Sequence, residues 1–321
     1  MSKVNSISVC LCTYNGERYI EEQLRSILNQ TLSVDEICVG DDCSTDNTIE
    51  IIERVRRETG ANIKIEKNET NLRCNSNFNL TMSRCAGDII LFSDQDDYWM
   101  PDKVKTIVDY FESNQNIDVV FTNGEFMDEE GKSFTNAKMF DAVAFTPSTI
   151  KQFYTTGLQL EAFIVNNRAT GATMAMRRSF IGQFYISNVE NSNGRVIFWD
   201  HILALAAVSQ GKIGIIDKPL IRYRIHSGQT IGFGKWIYSP PVTSDLYVVG
   251  YGLDYCDLVP YDLRERAKMV TDRYYYKKSK LYNNLFRYFY RYIKIYGYAM
   301  GVRVWSHDLI NAITGKPDLD F

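Results

Sequence analysis

The chain contains neither a GxGxxG sequence nor a GxxxxGK(S/T) sequence, so two common ways of holding a nucleotide through a glycine backbone lose support. None of its 7 cysteines stands in a CxxC pair, which removes the usual thiolate metal sites. Cys10 and Cys12 are expected to lie in one strand and point the same way. Cys38, Cys43, Cys74, Cys85 and Cys256 are too few around them for a disulfide framework. Reduced thiols and a cytoplasmic protein are therefore expected. No apolar run approaches the roughly 20 residues of a membrane span, and the opening MSKVNSISVC has no apolar signal-peptide core. Nor does one sign of charge dominate. With 36 Lys and Arg against 39 Asp and Glu, a formal net charge of -3, no nucleic-acid partner is expected. At 321 residues and 45% hydrophobic content, the chain suits one large globular domain with an extension, or two domains.

What is present is a steady alternation of strands and helices. Ile7 to Cys12 reads as a strand running into the turn Thr13-Tyr14-Asn15-Gly16, and Glu17 to Asn29 as a helix with Ile20, Leu24, Ile27 and Leu28 at helical spacing. Glu36 to Gly40 is a second strand ending in Asp41-Asp42-Cys43-Ser44, where Ser44 or Thr45 is expected to cap a helix through Arg57. A strand at Ile63 to Glu66, a helix at Asn75 to Cys85, a helix at Asp102 to Ser113 and a strand at Val119 to Thr122 continue the pattern. Such alternation predicts an α/β fold, a mostly parallel sheet flanked by helices.

The most informative stretch is DIILFSDQDDYW at 88–99. Ile89 to Phe92 form a short apolar run, a buried strand, which ends in Ser93-Asp94-Gln95-Asp96-Asp97. Three carboxylates within four residues at a strand end are costly unless a cation sits among them. Oxygen-only ligands suit Mg²⁺ or Mn²⁺, and ligands bind at the C-terminal ends of strands in open α/β sheets. The alternative is an acidic turn leading into the helix opened by Pro101 and Asp102. Thr13-Tyr14-Asn15, Asp41-Asp42 and Asp94-Gln95-Asp96 would share one sheet edge, a design for a nucleotide held by side chains and reached through a metal.

Taken in order, SVCLCTYNGERYIEEQLRSILNQT, EICVGDDCSTDNT, NLRCNSNFN and GDIILFSDQDDYWMPDK resemble the inverting nucleotide-sugar glycosyltransferases of family 2, with the GT-A fold, and within them bacterial rhamnosyltransferase-like members. The resemblance covers about residues 5–230. It implies sugar transfer from a nucleoside diphosphate (dTDP- or UDP-linked, with dTDP-rhamnose as the leading donor) to a glycan or lipid-linked acceptor in cell-surface polysaccharide synthesis. It further implies that Thr13 and Tyr14 line a pyrimidine pocket, with Tyr14 stacking, that Asn15 is among the donor-binding residues, that Asp42 accepts the base N3–H, and that Arg73 lies near base or diphosphate. Asp94 and Asp96 correspond to the DxD motif, Asp96 as direct ligand of Mg²⁺ or Mn²⁺ and Asp94 reaching ribose or metal-bound water. Helix capping by Asp41 and Asp42, and a surface salt bridge for Arg73, are the competing structural readings. A nucleotidyltransferase, or a non-catalytic sugar-binding protein on the same fold, are the rival functions.

Further along, Glu129-Glu130-Gly131-Lys132 signals a hairpin and Pro147-Ser148 a helix start, in a segment suited to acceptor contacts. Thr170, Gly171 and Ala172 precede a strand ending at Arg178, and their small side chains allow close approach beside the donor sugar, as the resemblance implies. Phe198-Trp199-Asp200-His201 opens a helix through Ala207. There Asp200 is either a capping carboxylate or, by resemblance, the general base, kept ionised by the helix dipole. Trp199 and His201 are placed in the acceptor and sugar vicinity, His201 being a rival base. Val208 to Ile216 is expected to close the sheet, followed by an alternating strand from Leu220 to His226. His226 resembles the histidine that completes the metal site; a structural histidine is the alternative. Gln229 and Gly232 are assigned to a loop over the diphosphate.

The resulting organisation is a catalytic domain at 1–235, with a nucleotide half at about 1–123 and an acceptor half at about 124–235, then a helical extension at 236–321. Between Tyr261 and Trp305 stand 11 Lys and Arg against 3 acids. At helical spacing, Tyr282, Leu285, Phe286, Phe289, Ile293 and Tyr296 share one face, and Lys280, Arg287, Arg291 and Lys294 the opposite one. Such a basic amphipathic helix suits an anionic membrane surface, which would make this a peripheral protein at the inner face of the cell membrane. Docking on the protein's own body, or a homodimer seam through these helices, are the alternatives.

Overall fold

The computed structural model describes residues 4–143, 145, 147, 150–151, 163, 167–181 and 198–229. The expectations for Gly232, for Ser148 and for the extension at 236–321 fall outside the described residues.

Four strands, β1 (Ile7–Thr13), β2 (Glu36–Asp41), β3 (Ile63–Lys67) and β4 (Ile89–Ser93), pair in parallel in the order β3-β2-β1-β4. Nearly every residue of β1, β2 and β4 is buried, as parallel strands covered on both faces require. Side chains alternate between two cores. Val9 and Leu11 face the core shared with α1 (Ile20–Leu28), α2 (Thr48–Thr59) and α4 (Lys103–Ser113). Cys10 faces the one filled by Phe78 and Met82 of α3 (Arg73–Ser83), and Cys12 packs against that same core, so the shared direction of the two thiols holds. All six described cysteines are free.

Beyond β4 the sheet turns mixed. The path continues β8 (Met174–Arg177), β6 (Val119–Met127), β9 (Ile213–Arg224) and β5 (Tyr98–Trp99), while β7 (Ser133–Lys138) pairs with β6. β8 is antiparallel to both β4 and β6, and β6 and β9 are parallel. The two segments expected at 208–216 and 220–226 are one strand, β9, preceded by a helix that reaches Ser209. The residues 123 and 124 lie at register irregularities within β6. The expected hairpin at Glu129–Lys132 joins β6 to β7, with Gly131 left-handed (φ 80°) and Asp128 collecting its backbone donors.

The short helices are α5 (Met139–Ala142) and α6 (Arg178–Ile181), and α7 (Trp199–Ser209) follows. α7 is apolar around its circumference, and Ile202 to Ala207 are all buried, so it is an interior helix. Two helix starts differ from expectation. α1 begins at Ile20 because residues 16–19 form a turn in which the Gly16 carbonyl accepts from both Tyr19 and Ile20. α2 begins at Thr48 after Asn47, because the Ser44 hydroxyl is committed to Asp41 and to the Asn15 amide. Among the described residues no helix is long and apolar enough to cross a membrane.

Candidate active site

The ends of β1, β2 and β4 do share one edge, and the loops there are held by unusual backbone. Asn15 (φ 48°), Cys43 (φ 68°) and Arg73 (φ 62°) are the non-glycine residues with positive φ among those described. Left-handed conformations cost of order 1–3 kcal/mol each and persist where surrounding bonds over-determine them. Those bonds are present. Asn15 Oδ1 accepts from the Thr45 amide at 2.9 Å. Asp42 Oδ1 accepts from Leu72 N at 2.7 Å and Asn68 Nδ2 at 2.9 Å, and Asp42 Oδ2 from Arg73 N at 2.8 Å. Asp42 is therefore buried and clamps the loop before α3 rather than capping α2. A carboxylate offers about four acceptor positions, so one remains for a ligand donor. The Thr13 hydroxyl donates to Asp41 Oδ2 at 2.8 Å. It is turned into the protein, which corrects the pocket-lining expectation for that side chain. Tyr14 beside it is 49% exposed.

The acidic loop after β4 is fixed from three directions. Arg224, fully buried at the end of β9, donates from its backbone to Asp97 Oδ1 (3.0 Å) and from Nε to the Asp96 carbonyl (2.8 Å). Its Nη atoms reach the Asp128 and Glu129 carbonyls and Glu22. His226 Nε2 lies 2.8 Å from Asp96 Oδ2 while its Nδ1 accepts from Gly228 N at 3.2 Å. Lys103, at the start of α4, lies 4.2 Å from the Trp99 ring and donates to the Ala172 carbonyl at 2.6 Å. Burial pushes the Lys103 ammonium down to about 7, against the pull of Asp97 and Asp94. Burial, then repulsion from Asp96 and Asp200, pushes Asp94 up to about 7.

That excess of negative charge on hard oxygens fits a divalent cation such as Mg²⁺ or Mn²⁺. Asp94 and Asp96 are the residues suited to it. Among the described residues, however, no three His, Cys, Asp or Glu side chains are arranged as a ligand set. His226 is bonded to Asp96 itself, so in this arrangement it orients a carboxylate instead of presenting a free ligand nitrogen. Gln229, which follows, bonds back to the Arg224 carbonyl and the His226 amide.

Asp200 stands in the first turn of α7. Its Oδ1 accepts from His201 N at 2.7 Å and its Oδ2 from Gly171 N at 3.0 Å. Burial pushes Asp200 up to about 6, although those bonds and one from Asn167 oppose the shift. The expectation of a dipole-stabilised carboxylate thus meets a larger opposing cost, the loss of water around a buried charge. The 3-10 turn Gly171–Thr173 is shaped for this contact. A Cβ on Gly171 would come within 2.5 Å of Trp199 Cζ2, and Ala172 holds Lys103. Thr170 closes the turn, its carbonyl accepting from Thr173.

The two neighbours of Asp200 are buried beside it. Trp199 is buried, its ring stacked on Phe78 (centroids 4.4 Å) and tilted against Phe92 (4.5 Å), with its amide on Asn75 Oδ1. His201 is buried with Nε2 2.7 Å from the Phe163 carbonyl, and burial lowers its pKa to about 4. Both pack into the core, because successive helix residues diverge by about 100° and Asp200 turns instead to the Gly171 amide. Gln95, Lys103, Asn75 and Arg224 escaped sequence reading. Nothing local marked them: Lys103 stands between Asp102 and Lys105, and Arg224 two positions after Arg222.

The sequence profile of "Glycosyl transferase family 2" matches residues 8–194, more than half of the chain. An uncharacterized glycosyltransferase of Haemophilus influenzae is 28% identical over 226 residues, 70% of this chain and 67% of that protein. The dTDP-rhamnosyl transferase RfbG of Shigella flexneri is 29% identical over 231 residues, 69% and 73% of the two chains. Among solved structures, residues 1-349 of S. aureus TarS in complex with UDP-GlcNAc superpose with a TM-score of 0.56 at 19% identity, over 98% of this chain and 82% of that one.

Proposed function

The chain belongs to glycosyl transferase family 2, a glycosyltransferase of GT-A fold that moves sugar from a nucleotide sugar, and we propose that Asp200 is the base of an inverting transfer to an acceptor hydroxyl. In that step a carboxylate oxygen of Asp200 takes the hydroxyl proton, the hydroxyl oxygen bonds to the anomeric carbon, and the bond from that carbon to the nucleoside diphosphate breaks from the opposite face. The observation that supports this reading is the Gly171–Thr173 turn, which bonds Asp200 through the Gly171 amide and Lys103 through the Ala172 carbonyl. Lys103 is in turn drawn by Asp94 and Asp97, so a single turn would link the helix-start carboxylate to the strand-end acids. A base raised to about 6 is still ionised at neutral pH and closer to the value that favours proton transfer.

Tyr14 would stack on the pyrimidine and Asp42 would use its remaining acceptor position on the base. Arg73, on the loop that Asp42 clamps, would lie by base or diphosphate. Mg²⁺ or Mn²⁺, when bound by Asp96 and Asp94, would neutralise charge on the departing diphosphate. The Gly171–Thr173 turn would place its small residues beside the sugar.

A dTDP-linked deoxyhexose such as rhamnose is the donor we favour, supported by similarity to the Shigella relative. A glycan or lipid-linked acceptor, in cell-surface polysaccharide synthesis, is the matching partner. The basic amphipathic pattern at 280–296 supports membrane-surface attachment at the cytoplasmic face. The test is incubation of the protein with radiolabelled dTDP- and UDP-sugars, scored for nucleoside diphosphate release with and without Mn²⁺. Release that is lost in Asp96→Ala and Asp200→Asn supports the reading; no release from any donor overturns it.

A further inference from the structure

The β1–β4 ladder ends at Leu11 opposite Ser93, yet the two chains stay joined past that point through one side chain. Gln95 Oε1 accepts from Tyr14 N at 2.8 Å, and Gln95 Nε2 donates to the Tyr14 carbonyl at 3.0 Å. This is a two-bond clamp of a side-chain amide on a single residue's backbone, made from between Asp94 and Asp96. The amide packs against Gly16, where an added Cβ would come within 2.3 Å of Oε1 and 2.6 Å of Cδ. On either side of Tyr14, Thr13 is fixed through Asp41 and Asn15 through Thr45 and Ser44. The exposed Tyr14 is thus carried on a backbone with every neighbour pinned, and the core gains little from it.

We propose that Gln95 is a positioning residue that couples the nucleobase-stacking Tyr14 to the carboxylates at the diphosphate end of the donor site. The inference rests on the donor reading above. One amide sets the distance between the aromatic platform and the acidic loop, so base recognition and diphosphate placement are adjusted together. Pre-formed spacing of this kind lowers the cost of ordering on binding.

The experiment uses the full chain with UDP and dTDP as probes, in Mn²⁺ buffer. Gln95→Met keeps the volume over Gly16 and removes both bonds; Gln95→Ala removes the side chain. Two neutral hydrogen bonds lost should weaken nucleotide binding about five- to thirtyfold by calorimetry, with the loss falling on donor KM. Exchange at the Tyr14 amide should quicken while Tm stays near wild type. Gly16→Ala should produce the same loss by displacing the amide, and Gly16→Ala combined with Gln95→Ala should be no weaker than either single variant. Unchanged nucleotide affinity in both Gln95 variants, with or without faster Tyr14 exchange, overturns the coupling and leaves a surface stitch. Additive losses in the double variant also overturn it. If the wild type binds neither nucleotide, the donor reading itself falls, and this inference with it.

Discussion

Asp96 and His226 meet at 2.8 Å, 130 positions apart in the chain. The imidazole has one nitrogen on the Gly228 amide and the other on the carboxylate, so it can donate to Asp96 only as the Nε2–H tautomer. It also stacks obliquely on Tyr19, centroids 4.8 Å apart. Partners of a ligating carboxylate typically alter metal affinity by 10–100-fold when removed. His226→Ala should therefore raise the Mn²⁺ concentration for half-maximal turnover by about tenfold or more, with little change in Tm. Unchanged metal dependence in a titration of activity would return His226 to a purely structural role.

Asp200→Asn should leave donor affinity near wild type and cut kcat by at least about a hundredfold. The pH profile supplies a second sign. Burial raises the Asp200 carboxyl to about 6, and a base works only when ionised. Wild-type kcat/KM should therefore fall as pH drops through about 6. Protonation relieves the buried charge, so this group's contribution to stability is present below its unfolded value and lost as pH rises through about 6. The asparagine variant should lack both dependences. A variant that keeps turnover and loses only Tm would make Asp200 a helix-start strut.

Glu36 offers a stability test away from the cleft. Burial works to raise its pKa, but Lys64 at 2.6 Å, the Ser8 hydroxyl at 2.6 Å and the Ala86 amide at 2.7 Å hold it down to about 2. Glu36→Ala strands one buried donor, the Ser8 hydroxyl, at about 1–3 kcal/mol, while the amide of the exposed Ala86 turns to water. The half-exposed Lys64 adds little. Urea unfolding at pH 7 should show a loss of about 1–3 kcal/mol. Because the folded pKa is depressed, the contribution is present above the ordinary glutamate value and lost as pH falls through about 2. The gap between wild type and variant should accordingly narrow on acidification through that window. A gap that is constant with pH would mean that packing, not charge, explains the cost.

For the basic extension, co-sedimentation with anionic vesicles should show binding at low salt that fades as salt rises, at about 1 kcal/mol per basic residue near the lipid. Truncation before Thr271 should abolish it while leaving a soluble catalytic body. Absence of binding at low salt, or an insoluble truncated protein, would favour docking on the protein's own body or a dimer seam.

The amino-acid sequence by itself determined the alternation of strands and helices, the acidic end of β4, the turn after β1 and the place of Asp200 at a helix start. Each of these depends on residues within a few positions of one another: apolar runs of strand length, helical spacing of Ile20, Leu24 and Ile27, and the abrupt change from Phe92 to Asp94. Tertiary structure decided which groups meet. That β8 inserts antiparallel between β4 and β6, that Lys103 reaches Ala172, and that Arg224 secures the Asp96–Asp97 loop are outcomes of strand order, which no local pattern encodes. The same holds for charge. Asp200 stands at a helix N-terminus, where the dipole favours ionisation, yet its pKa rises because burial costs more than the dipole and its bonds return. Trp199 and His201 differ from it by one position each, and the rings of Phe78 and Phe92 and the carbonyl of Phe163 drew both into the core.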